Sequence, residues 1–258
     1  MTDAALAELA GYLDAFLRVA EVPDEANAVN GLQVENRGRV ARVIAAVDAS
    51  LEAIEGLTSG EGGPPLLLVH HGLFWDGNQP LTGRRFRRVR ALLDRDAALY
   101  SAHIALDVHP EVGNNVELAR RIGLPVEGWF GDYRGVPIGV HGSAPAALAQ
   151  RDRLVAALDA DLDTSARLIP GGPERIRRIG IVTGGAGSMI AAARDAGLDT
   201  FITGEGAHHT YFDAVEWGVN VIYAGHYATE QVGVQALARR LSAEFGLPWE
   251  FHRHPTGL

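Results

Sequence analysis

Leu66-Leu67-Leu68-Val69-His70-His71-Gly72 (residues 66–72) is a short, unbroken apolar run that stops at two histidines and a glycine. Such a run, bounded by turn residues, reads as a strand buried on both faces, the kind that parallel sheets contain. The same grammar extends on either side, from Val40 to Arg121. Val43-Ile44-Ala45-Ala46-Val47 ends at Asp48, before a helix from about Ser50. Arg84 to Asp94 reads as a helix, and Ala98-Leu99-Tyr100 ends near His103, before a helix from Asn114 or Asn115 to Ile122. Apolar strands alternating with helices indicate an α/β fold whose sheets are largely parallel or mixed. Ligands in such sheets sit beyond the carboxyl ends of the strands. Asp48, His70, His71, His103 and Asp107 all fall at or just past such ends.

Upstream, Leu6, Leu9, Leu13, Phe16 and Leu17 recur at helical spacing, so an opening amphipathic helix is expected before Val22-Pro23. Asn30-Gly31-Leu32-Gln33-Val34 reads as a turn in preference to a loop that holds polar groups toward a site. Val136-Pro137-Ile138-Gly139-Val140 reads as an irregular or edge strand, because Pro removes a ladder donor. After the turn Pro170-Gly171-Gly172-Pro173 the alternation starts again. Ile179-Gly180-Ile181-Val182 leads to Gly184-Gly185-Ala186-Gly187-Ser188 and a helix, Thr200-Phe201-Ile202 leads to Gly204-Glu205, and Val219 to Tyr223 leads to His226 and a helix from Thr229 to Phe245. Two halves of similar grammar imply an internal duplication into two α/β lobes. The expected division is a metal-binding lobe of residues 1–125 plus 226–258 and a second lobe of residues 126–225, with the site at strand ends between them.

The chain has 258 residues and is 47% hydrophobic, enough for one large core or two lobes. Its net charge of -9 opposes the phosphate neutralisation on which nonspecific nucleic-acid binding depends. No apolar run reaches the length of a membrane span, and the acidic start Met1-Thr2-Asp3-Ala4 is unlike a secretory signal, so a cytoplasmic location is expected. With no Cys there is no thiol nucleophile, disulfide or thiolate metal site, and with no Lys there is no Schiff-base or P-loop lysine. Histidines, carboxylates, hydroxyls and bound metal remain for chemistry. The run Arg84, Arg85, Arg87, Arg88 and Arg90 reads as a solvated helix face or a subunit contact.

Three segments combine imidazole with carboxylate: His70-His71, His103-Ile104-Ala105-Leu106-Asp107, and His226-Tyr227-Ala228-Thr229-Glu230. Each alone is ambiguous, since one core and one surface histidine, or a solvated first-turn Glu, explains it equally well. Together they supply more donors than the three or four protein ligands of one zinc, so two metals are the natural count. Nitrogen and carboxylate donors suit zinc, iron, manganese or nickel. The loop from Gly184 to Ser188 either offers Gly185 and Gly187 to a phosphate or is a tight turn. Glu205 and His208 are candidates for binding substrate, and His209 for moving protons, with plain surface histidines as the alternative.

At Asn30-Gly31-Leu32-Gln33-Val34, Leu68 to Trp75, Ser101-Ala102-His103 through Asp107, Gly113-Asn114-Asn115, Thr203-Gly204-Glu205 and Gly225-His226 through Glu230, the chain resembles the dinuclear-metal-centre hexameric proteins. These are also called GTP cyclohydrolase 1 type 2 homologs or Nif-three-like proteins. The resemblance covers nearly the whole chain and implies that His70, His71, Asp107, His226 and Glu230 ligate two divalent ions, with His103 beside them; His103 or His209 is the catalytic proton carrier expected. It also implies a toroidal homohexamer, a trimer of dimers. Gly72 departs from the pattern, since many relatives carry Pro there, and the inserted middle domain of longer members has no room here. The function expected is a metal-dependent hydrolase acting on a small anionic or nucleotide-like substrate. The other reading is a non-enzymatic metal carrier or regulatory scaffold. GTP ring opening itself normally uses a Cys-containing zinc site that this chain cannot form.

Overall fold

The computed structural model describes residues 3–57 and 62–258. Residues 1–2 and 58–61 of the expected first lobe lie outside the described residues. The chain divides into two compact units, residues 1–106 with 234–254 and residues 107–233 with 255–258. Segments 107–125, 226–233 and 255–258 therefore group with the second unit, which differs from the expected division. Packing explains this: Val116, Leu118, Ala119, Ile122, Ala228 and Val232 all belong to the apolar cluster built on strands of the second unit.

In the first unit, a two-residue strand β1 (Ala4–Ala5) leads into α1 (Leu6–Phe16), then β2 (Gly31–Val34), the short β3 (Arg39–Val40) and β4 (Arg42–Asp48). Next come α2 (Leu51–Glu55), β5 (Pro65–His71), α3 (Gly83–Asp94), β6 (Ala98–Ser101) and the single turn α4 (Ile104–Asp107). The second unit carries α5 (Asn114–Arg121), β7 (Gly128–Tyr133), β8 (Val136–Ser143), α6 (Arg151–Leu162), β9 (Arg167–Pro170) and β10 (Arg178–Ile181). It continues through α7 (Ile190–Asp195), β11 (Thr200–Thr203), α8 (Thr210–Trp217), β12 (Asn220–Tyr223) and the start of α9 (His226–Phe245). The chain then returns to the first unit with β13 (Trp249–Phe251). Among the described residues no helix is long and apolar enough to cross a membrane.

The first unit's main sheet has the order β13-β4-β5-β6-β2, with β4, β5 and β6 parallel and β2 antiparallel to β6. The second unit's sheet runs β7-β8-β10-β11-β12-β9, with β10, β11 and β12 parallel and β9 antiparallel to β12. Each half thus repeats one plan, in which a helix and an antiparallel edge strand precede three parallel strands joined by two crossover helices. β5 is central in its sheet, and Leu66, Leu67, Leu68 and Val69 are wholly buried. Leu67 and Val69 pack with Ile54, Leu57 and Leu92 from the helix-covered side. Each such side chain stabilises the fold by roughly 1.5–3 kcal/mol.

Three expectations change. Gly31–Val34 is a strand where a turn was expected, because it pairs with β6 from Gly31↔Ser101 to Val34↔Leu99. Gln33 ties it down, accepting from Leu73 N–H at 2.8 Å. Its side-chain amide occupies the volume into which a Cβ at Gly72 would project, 2.2 Å away. β8 has neighbours on both sides, yet β10 pairs only with Val140 to Ser143, so Pro137 lies where β7 alone runs alongside. Its missing N–H therefore costs no bond to β10. Lastly, α9 begins at His226 itself, which puts His226 and Glu230 one turn apart on the same helix.

Candidate metal centre

In the first unit the site begins where β5 runs out. β4 still pairs with β5 at Asp48↔His71, whereas β6 stops pairing at Val69↔Ser101. Past that point two adjacent residues can turn to one side, and the His70 and His71 ring centroids lie 4.7 Å apart. His103, two residues beyond β6, brings its ring to 5.0 Å from His70 and 5.6 Å from His71. One ring nitrogen of each of these three lies within 4.8 Å of the others, an arrangement that can hold a metal ion.

Which nitrogen would face an ion is set from behind. His70 Nδ1 donates to Ala102 O at 2.8 Å. His71 Nδ1 bonds Asp48 Oδ1 at 2.9 Å, and His103 Nδ1 bonds Asp24 Oδ1 at 2.8 Å. Asp24 is itself anchored by Ile104 N–H and the Asn30 amide, while Asn30 Oδ1 accepts from His103 N–H. Burial works against the Asp24 carboxylate, but the His103 imidazole and Asn30 more than offset it and hold its pKa below the ordinary value.

The second unit contains Asp107, which follows β6, and His226 and Glu230, which follow β12. Asp107 is buried, and its Oδ1 accepts from Asn114 Nδ2 at 2.8 Å and Thr183 Oγ1 at 3.4 Å. Asn114 in turn accepts from Gly233 N–H of α9. Gly184, with φ of 70°, donates its N–H to Thr229 Oγ1, and a Cβ there would lie 2.0 Å from Glu230 Oε1. Only glycine allows that backbone to pass so close to the carboxylate. His226 Nε2 is 3.1 Å from Glu230 Oε2, and its Nδ1 bonds Glu205 Oε1 at 2.8 Å. Burial pushes the His226 pKa down, but Glu230 and Glu205 more than reverse this and raise it to about 9.

The duplication puts His103-x-x-x-Asp107 after β6 and His226-x-x-x-Glu230 after β12, at the same point of the repeated plan. Every one of the four histidines has Nδ1 tied to an oxygen acceptor, so Nε2 is the nitrogen on the opposite side of each ring, where His226 Nε2 meets Glu230 Oε2. This is how metal-ligating imidazoles are held, with the rear N–H fixing tautomer and ring orientation. The donors are nitrogen and carboxylate oxygen only, so the residues fit zinc, iron, manganese or nickel.

The remaining candidates fall nearby in the second unit. Gly185, Gly187, Glu205 and His209 line one pocket of about 380 Å³, and His208 lines a neighbouring one. Gly187 N–H donates to Glu205 O, and a Cβ on Gly187 would meet Gly206 Cα at 2.4 Å, so this glycine serves close backbone packing. Sequence reasoning missed Asp24 as the partner of His103. Asp48 was noted at a strand end without a role, and its position opposite His71 supplies one.

The family model Duf34/NIF3 (NGG1p interacting factor 3) matches residues 4–255. A Deinococcus radiodurans protein named GTP cyclohydrolase 1 type 2 homolog is 44% identical over 252 residues, covering 97% of this chain and 94% of the relative. Among solved structures, protein ybgI, described as of unknown function, is 33% identical with a TM-score of 0.90, covering 99% of this chain and 100% of its own. A Thermus thermophilus protein is 38% identical with a TM-score of 0.85, and it too covers 99% of this chain and 100% of its own.

Proposed function

We propose that this chain, which belongs to the Duf34/NIF3 family, is a dinuclear metal-dependent hydrolase of a small anionic substrate. The observation that carries the reading is the set of four histidines, each held at Nδ1 by an oxygen acceptor. The ligands we assign are His70, His71, Asp107, His226 and Glu230. A bound pair of divalent ions supplies Lewis acidity and lowers the pKa of water toward about 7. Two divalent cations exceed the charge of the two ligand carboxylates, so the site favours an anion. His103 receives and returns protons at Nε2, because Asp24 holds its Nδ1–H and stabilises the imidazolium that forms. His209, which lines the same pocket as Glu205, would protonate the leaving group.

The assembly we propose is the toroidal homohexamer that the resemblance implies, in the cytoplasm, where a chain without disulfides and with imidazole donors meets divalent metal. Sedimentation of the metal-loaded chain tests the assembly, and a monomer at micromolar concentration removes it. Activity is tested by incubating metal-loaded protein with a panel of phosphorylated and carboxylated metabolites and detecting products by mass spectrometry. Turnover that requires metal supports the hydrolase. Tight, reversible metal binding with no turnover across the panel replaces it with the carrier.

A further inference from the structure

The second unit has another pocket, of about 420 Å³, that the metal chemistry does not use. Its walls come from β9, α8, β12 and the segment that links β11 to α8. Tyr211 and Phe212 are half exposed there, at 50% and 49%, with their rings edge to face. His208 stands edge to face with Phe212 at 5.8 Å. Across from them Tyr223 anchors its hydroxyl on Thr210, and Gly206 passes so close that a Cβ would lie 2.2 Å from Tyr223 Oη. Arg167, the register partner of Tyr223 on β9, also lines the pocket. Among the described residues it has no ion-pair partner, in a chain whose net charge is -9.

Half-exposed aromatic rings around a guanidinium are a combination with a definite preference. The rings offer stacking faces that water serves poorly, and the guanidinium offers forked N–H donors to a carboxylate or phosphate. The volume is near the lower end for small-molecule sites, the size for one or two fused rings. Gly206, Ala207 and Thr210 wall both this pocket and the one holding Glu205 and His209. A ligand crossing that wall has its ring among the aromatics and its other end beside the Glu205–His226 pair.

We infer that this pocket binds a flat aromatic ring bearing an anionic group, with the ring on Tyr211, Phe212 and His208 and the anion on Arg167. That the ring is part of the substrate rests on the hydrolase reading; that the pocket binds it does not. Calorimetric titration of the metal-loaded full chain uses three probes: adenosine 5′-monophosphate, 4-hydroxybenzoate and inorganic phosphate. The expected result is that at least one aromatic probe binds with a Kd below about 1 mM, at least about 10-fold tighter than inorganic phosphate, as one stacked ring provides. Binding of the first identifies a phosphate-bearing ligand and binding of the second a carboxylate-bearing one. Arg167→Gln and Phe212→Ala should each weaken that probe by roughly 10-fold or more.

No aromatic binding at that concentration overturns the inference, as does phosphate binding just as tightly to the metal-depleted Glu230→Gln chain, or affinities unchanged in both variants. So does a shift in sedimentation of Phe212→Ala with no loss of probe affinity, which would make this face a contact between copies. The metal-depleted Glu230→Gln variant separates the two claims. If it binds the aromatic probe as wild type does while metal-loaded wild type shows no turnover, the pocket stands and the hydrolase reading falls.

Discussion

The two halves of the chain share a plan but arm it differently. After β5 and β6 the first half presents three imidazoles, and its carboxylates, Asp24 and Asp48, stand one step behind the rings. After β12 the second half presents Glu230 directly, with one imidazole between Glu230 and Glu205, while Asp107, the counterpart of Glu230 after β6, accepts from Asn114 and Thr183. Each ring of the first half is held from behind by an oxygen acceptor, so its orientation is set by the protein alone. Buried carboxylates need a cation nearby. Without metal, a proton on His226 fills that place, which is why its pKa rises to about 9.

The largest test of this contrast is Glu230→Gln, which keeps the shape and removes the charge. Elemental analysis should find metal falling from about two ions per chain to one or fewer. Retention of both would show that Glu230 does not hold the cations.

His103→Asn is aimed at the other half. Metal content should stay largely intact while any hydrolytic rate drops by about 10²–10⁴-fold, the range for a general acid–base group. Loss of metal in this variant would make His103 a ligand with His70 and His71 and would make the two halves more alike than proposed.

Smaller effects are expected one step behind the ligands. Asp48→Asn and Glu205→Gln should each weaken metal affinity by about 10–100-fold, read by competition with a chromophoric chelator. Equal losses would show that the carboxylates behind both halves matter alike, whereas no loss in either would detach them from the metal.

The smallest effect is on the metal-free protein. A folded-state pKa raised from 6.5 to about 9 stabilises the fold fully below the unfolded value, and that contribution is lost as pH rises through about 9. Thermal unfolding of chelator-treated protein should therefore show Tm falling between about pH 7 and pH 10. Glu230→Gln should flatten this fall, and an unchanged slope in that variant would remove His226 as its source.

Much of this was legible along the chain. The apolar run Leu66 to Val69 is a central buried strand, as its lack of alternation indicates. His70, His71, His103 and His226 lie at or within three residues of strand ends, and Glu230 lies one turn into α9. Less legible were the antiparallel edges. β2 and β9 are held by pairing with β6 and β12, and neither has enough apolar residues to declare itself. The start of α9 was placed three residues late, because Gly225 reads as a turn while His226 already has a helical backbone.

By itself, the sequence determined the repeating strand-helix grammar, the absence of thiol and amine chemistry, and which donor types stand at the strand ends. Periodicity and composition are properties of neighbouring residues, and neighbours suffice to read them. Only the tertiary structure decided which nitrogen each imidazole presents. The acceptor behind His103 lies 79 residues away in Asp24, and the one behind His70 lies 32 residues away in Ala102. A histidine carries no local signal of its tautomer, since that is fixed by whichever oxygen the closing fold brings behind the ring.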